Sequence, residues 1–137
     1  MKRAALFRDH RSGCGVAFKL TGAASGYEET IIHSFSGGAP DGAYPSAALV
    51  VDERGNVFGT AGGGTPGATF GTVFRLSPTG LTYAFKLLHN FGGGRVGDGS
   101  GPQSALLPLN GRFYGTTNRG GTGRGKCDCG TVYSLIR

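Results

Sequence analysis

Two histidines and two aspartates carry most of the proton chemistry open to this chain. Histidine is the side chain whose charge changes nearest neutral pH, so His33 and His89 are the first candidates for acid–base work. Asp41 and Asp98 each come shortly after a Gly-Gly pair and directly before a glycine. A glycosidase needs two carboxylates facing each other across a sugar. Asp41 and Asp98 would meet that demand only if neighbouring units brought both loops to one mouth. Calcium takes roughly six to eight oxygens, usually from several carboxylates, and each of these loops supplies one. Both aspartates are therefore read as caps of their own turns, with glycine supplying positive φ. No metal or cofactor is expected.

Three cysteines add redox or ligand chemistry. Cys127-Asp128-Cys129 is a Cys-X-Cys pair, and Cys14 stands far upstream. With His10 they make a four-ligand set, but the spacing lacks the paired two-residue gaps of structural zinc sites. A disulfide from Cys14 to Cys127 or Cys129, or between chains, is the better functional reading and would imply an oxidising compartment. The bland alternative is idle thiols. Cations gather in the loop holding Arg119, Arg124 and Lys126, and again at Lys2, Arg3, Arg8 and Arg11. Such clusters can track a phosphate or sulfate backbone. No aromatic residue interleaves with the loop, as single-strand binders require, so a solvated loop is preferred and nucleic acid is not the expected partner. Neither a phosphate-binding Gly-x-x-x-x-Gly-Lys-Ser/Thr loop nor a Gly-x-Ser-x-Gly elbow is present.

These residues must be weighed against a repeat. His33-Ser34-Phe35-Ser36-Gly37-Gly38 returns 56 residues later as His89-Asn90-Phe91-Gly92-Gly93-Gly94. Gly55-Asn56-Val57-Phe58-Gly59-Thr60 returns at the same interval as Gly111-Arg112-Phe113-Tyr114-Gly115-Thr116. Gly71-Thr72-Val73-Phe74 has copies at Gly15-Val16-Ala17-Phe18 and Gly130-Thr131-Val132-Tyr133. Cys14 and Cys129 precede the outer copies, and Phe70 precedes the middle one. A fixed period of this length marks stacked units. A residue found at one place in two repeats is first a structural part, whereas a catalyst should be unique to one repeat.

The 137 residues suffice for one domain with a modest core. They include 28 glycines and 6 prolines. Apolar residues sit in short runs separated by turn signals, which describes many short strands. The net charge of +6 favours anionic partners. No apolar run is long enough to span a membrane. Met1 to Phe7 begins like the basic region of a signal peptide, but Arg8 ends the apolar run too early for a secretory core.

Strands are expected at Val16–Leu20, Glu28–Phe35, Ala47–Val51, Val57–Thr60, Thr72–Leu76, Leu81–Phe91, Ala105–Leu109, Phe113–Thr117 and Thr131–Ile136. A degenerate strand is expected at Ala4–Phe7. Ser77-Pro78-Thr79-Gly80 reads as a tight turn with proline second. No segment carries helical periodicity. Short joins make residues 45–91 a four-stranded antiparallel meander, with longer loops crossing between units. The chain is read as a basic segment at 1–12 followed by one repeat domain at 13–137. Within that domain, 13–36 is a partial unit, 45–91 a full one and 102–137 a second partial one. A four-stranded unit joined by crossing loops is the pattern of a β-propeller blade, and this chain holds about two and a half where a ring needs at least about four. Open strand edges template association, so the all-β fold is expected to be completed by homo-oligomerisation.

The words His-Ser-Phe-Ser-Gly-Gly, Asp-Gly-Ala-Tyr-Pro-Ser-Ala-Ala-Leu-Val-Val-Asp, Gly-Asn-Val-Phe-Gly-Thr and Gly-Thr-Val-Phe-Arg-Leu-Ser-Pro-Thr-Gly follow in order over residues 33–80. They resemble the GloVer tandem repeat, and residues 89–135 repeat them more loosely. The resemblance covers roughly residues 13–137. It implies propeller-like β structure in long, exported bacterial proteins, so a secreted or surface location is implied beside the cytoplasmic one that the N-terminus suggests. It supplies no catalytic residue.

The expected function is a non-catalytic module that binds a glycan or a protein through its Gly-rich crossing loops, with His33, Asp41, Tyr44, His89 and Asp98 on that face. The alternative is a polysaccharide hydrolase with its site at the mouth of an oligomeric ring.

Overall fold

The computed structural model describes residues 3–7, 13–38, 41–63, 70–93, 97–121 and 128–137. Every regular element among them is a β-strand, and all pairing is antiparallel. The first sheet holds β1 (Arg3–Phe7), β2 (Val16–Ala23) and β3 (Gly26–Ser34), in that order. The second is a meander of β4 (Val50–Val51), β5 (Val57–Ala61), β6 (Thr72–Thr79) and β7 (Thr82–Asn90). In the third, β10 (Arg112–Arg119) pairs on one side with β11 (Val132–Ile136). On its other side it takes β9 (Leu107–Leu109) and, further along, β8 (Ser100–Pro102). The expected four-stranded meander is the second sheet. The strand at the N-terminus is also present, and it joins the first sheet from a segment that composition alone set apart.

The interval of 56 residues governs backbone detail. β2 and β3 overlay β6 and β7 end for end at that shift. The pairing slips once in each hairpin, between Ala17 and Phe18 and again between Val73 and Phe74. The extra residues there are Ile32 and Leu88. A bulge bends the strand and re-aims the residues beyond it. Here it brings Ile32 and His33 toward the second sheet.

Pro78 corrects one expectation. It lies inside β6 opposite Tyr83, and the turn falls later, at Gly80 and Leu81, with Thr79 paired to Thr82. Gly80 supplies the left-handed residue at φ 67°. Proline is tolerated in the strand because the pairing of β5 with β6 ends at Val57 and Leu76. Beyond that point one side of β6 is an open edge, where a missing N–H costs nothing. A second difference is β8, which lies in a stretch expected to be loop. Its pairing of Ser100 with Arg119 repeats the isolated bridge between Ala43 and Gly63.

The sheets stack, with one core in each gap. Ala17, Ile32 and Phe35 of the first unit meet Val57, Ala61, Phe74 and Leu76 of the second. Phe58, Val73 and Phe91 meet Leu106 and Phe113 of the third unit. Successive strand residues point to opposite faces, so β5 feeds both cores and is buried along its whole length. Two glycines seam the units. Gly15 (φ 103°) and Gly71 (φ 111°) each lie beneath the proline that opens the next unit, Pro45 and Pro102. Beside them the Tyr44 N–H donates to the Cys14 carbonyl at 2.8 Å and the Gly101 N–H to the Phe70 carbonyl at 2.7 Å.

Candidate binding face

The crossing loops leave β3 and β7 and return at the two prolines. His33 Nε2 is 2.7 Å from Asp41 Oδ1, and the other carboxylate oxygen accepts the Ser36 N–H at 2.7 Å. In the second loop His89 Nε2 lies 3.0 Å from Asp98, whose Oδ2 accepts the Gly92 N–H at 2.9 Å. His33 is itself fixed by packing: its ring stacks on Phe85 and meets the edge of Phe35. His89 meets Phe91 in the same edge-on way. Each histidine is thus a post in a strand, and each aspartate ties a loop to that post. The sequence suggested self-capping for the aspartates and a structural part for the histidines. The structure instead brings the two residues together, so one ring nitrogen of each histidine is already engaged.

Tyr44 follows the first loop and is 50% exposed. It sits at φ 57°, a left-handed conformation that a bulky residue rarely adopts. Its repeat counterpart is Gly101, at φ 66°. Backbone bonds on both sides hold Tyr44 there, from its own N–H to Cys14 and from the Gly62 N–H to its carbonyl at 3.2 Å.

Cys14 is a half-buried free thiol, whereas Cys129 is disulfide-bonded. Cys127, His10, Lys2, Arg8, Arg11, Arg124 and Lys126 lie outside the described residues. Arg119 is described, exposed, at the end of β10. Among the described residues no group of three or more His, Cys, Asp or Glu side chains is placed to hold a metal ion. No helix among them is long and apolar enough to cross a membrane.

Among the described residues, two clefts open where the second and third units meet. One, of about 430 Å³, lies beside the β4–β5 turn and is lined by Asp52, Arg54, Arg75 and Arg137 among others. The Asp52 carboxylate is satisfied by the Asn56 side chain and by the backbone N–H groups of Arg54 and Asn56, with Arg137 at 3.4 Å. The other cleft, of about 290 Å³, is lined by Gly62, Phe70, Ser100, Gly101, Gln103, Asn118 and Arg119. Of these, sequence reasoning named only Arg119 as a site residue. The missing signal was departure from the repeat. Asn118-Arg119 stand where the preceding unit has Gly62-Gly63, and Phe70 stands where the other units have Cys14 and Cys129.

Stacked antiparallel sheets whose polar loop residues bind one another define an all-β tandem-repeat protein. The chain belongs to the Gloeobacter/Verrucomicrobia repeat family, whose profile matches residues 6–137. No curated protein and no solved structure matches the chain.

Proposed function

We propose that the chain is a non-catalytic repeat module that recognises a glycan or a protein partner through the face carrying its crossing loops. The observation that carries this reading is the duplicated tie between His33 and Asp41 and between His89 and Asp98. Four of the residues best suited to acid–base work serve the loops at equivalent places, which supports a rigid display surface over a reacting centre. Loop residues already tied to a strand lose little entropy on binding. Tyr44, held in a strained conformation and exposed, is the side chain such a surface would present. The net charge of +6 favours an anionic partner, and family membership accords with display outside the cell.

The sheets act as propeller-like blades whose end faces are covered by further repeats, here copies of the chain. Stacked repeats bury their faces only against neighbours. The test is to measure binding and turnover together on polysaccharides and candidate protein partners. Binding without product, weakened by Tyr44→Ala, is expected. Product formation abolished by Asp41→Asn or Asp98→Asn, with affinity kept, would establish the hydrolase instead.

A further inference from the structure

We infer that the cleft of about 290 Å³ between the second and third units is a subsite for one acidic sugar residue, a saccharide ring bearing a carboxylate or a sulfate. The inference rests on the binding-module reading and assigns the chemistry of its ligand.

The first seam shows what the fold requires at such a junction. The first seam has the same backbone, with the Tyr44 and Gly101 N–H bonds equivalent and the Ala43–Gly63 bridge repeated by Ser100 and Arg119. Its side chains at the matching places are Cys14, Ala43, Tyr44, Ser46, Gly62 and Gly63. The second seam has Phe70, Ser100, Gly101, Gln103, Asn118 and Arg119. Folding is served by the smaller set, so the larger one is not a packing demand. The exchange of Tyr44 for Gly101 opens the space. The exchange of two glycines for asparagine and arginine furnishes it.

The furnishing suits a sugar. Phe70 is 49% exposed, and its ring rests against Gly93, where a Cβ would lie 3.1 Å from it. An exposed aromatic ring offers an apolar, weakly negative face to the C–H side of a pyranose. The amides of Gln103 and Asn118 and the hydroxyl of Ser100 each donate and accept, as a vicinal diol does. Arg119 brings a forked, permanently charged donor that fits a carboxylate or sulfate, and among the described residues no acidic side chain lines the cleft. The volume lies near the lower end for ligand sites, about 300 Å³, and suits a single ring.

The test uses the whole chain and calorimetry with three hexasaccharides: a polyuronate from alginate, a sulfated one from heparin, and neutral cellohexaose. An acidic oligomer is expected to bind: binding of the polyuronate assigns a carboxylate, and binding of the heparin oligomer without the polyuronate assigns a sulfate. Phe70→Ala and the double change Asn118→Gly with Arg119→Gly should each weaken binding at least about tenfold, as for residues that anchor an interface. The double change copies the first seam, so folding is kept, as a thermal melt verifies. Arg119→Gln should erase the preference for acid over neutral sugar. Equal binding of cellohexaose overturns the acidic class. Acidic binding that survives both Phe70→Ala and the double change overturns the cleft. If Tyr44→Ala alone abolishes it, the module reading stands while this assignment falls. If none of the three oligomers binds, the assignment also falls, and the module is then tested with protein partners.

Discussion

His33 Nε2 and Asp41 Oδ1 lie 2.7 Å apart across eight residues of chain, and the bond pins the first crossing loop to the edge of its sheet. The second loop carries the same bond between His89 and Asp98 at 3.0 Å. The first pair is the more enclosed of the two, and a hydrogen bond to an enclosed charged group matters more than one in solvent. Asp41→Ala should therefore lower stability by about 1–3 kcal/mol, and Asp98→Ala by less. Chemical denaturation of the two variants checks this, and a larger loss at Asp98 would contradict it.

Phe74 occupies the space a side chain at Gly59 would need. A Cβ there would stand 2.5 Å from Leu49 Cδ2 and 2.7 Å from Phe74 Cζ. Overpacking a filled core is costly, so Gly59→Ala should destabilise by about 1–3 kcal/mol. Gly55→Ala, whose Cβ would lie no nearer than 3.6 Å to Pro78 Cγ but which must hold φ 78°, separates backbone strain from crowding.

Tyr133 takes the place in the third unit that Phe74 takes in the second, over Gly115. Its hydroxyl is buried with no hydrogen-bond partner among the described residues, and burial pushes the phenol up to about 12. An unsatisfied buried hydroxyl opposes folding, so Tyr133→Phe should be neutral or stabilising by about 1 kcal/mol. The raised phenol also binds its proton more tightly folded than unfolded. Its contribution is fully present below the ordinary tyrosine range and lost as pH rises from about 10 through about 12. Tyr133→Phe should flatten that alkaline limb of the stability curve.

Asp52 acts at the other end of the pH scale. Burial raises its carboxyl, but hydrogen bonds from the Asn56 side chain, the Asn56 and Arg54 N–H groups and Arg137 outweigh it and hold the group below the usual carboxylate range. The stabilisation is present above the ordinary aspartate range and is lost as pH falls through the lowered value. Asp52→Asn should reduce the loss of stability on acidification. An unchanged acid limb would show that the turn from Asp52 to Asn56 does not depend on the charge.

The second sheet was legible because its apolar runs are bounded by turns and repeat at a fixed interval. The Pro78 turn was misplaced because proline signals a turn by its ring, while β6 tolerates it through an open edge that only pairing reveals. The tie from His33 to Asp41 was hidden for a related reason: the loop that joins them has no periodicity to read. A trace was present, since an aspartate follows each histidine at nearly the same distance, eight residues and nine. The cleft beside Phe70 escaped because attention to what repeats passes over what departs. Its members come from four separate stretches of chain that only the stacking of two units brings together.

Val132 in β11 holds the place that Val73 holds in β6, yet Val73 is 0% exposed and Val132 79%. Val73 is covered by the third unit, whereas Val132, Ile136, Leu107 and Leu109 face outward from the last sheet. At the opposite end Tyr27 and Ile31 are exposed where Tyr83 packs against the first core. In the proposed assembly these two ends meet, head to tail, between copies. The most direct test is the solution mass of the chain, of Val132→Glu, of Ile31→Glu and of the two variants mixed. The expected result is assembly of the unaltered chain, monomers of each variant alone, and a one-to-one complex on mixing, because each variant keeps the face the other lacks. A well-folded monomer of the unaltered chain at high concentration would contradict it.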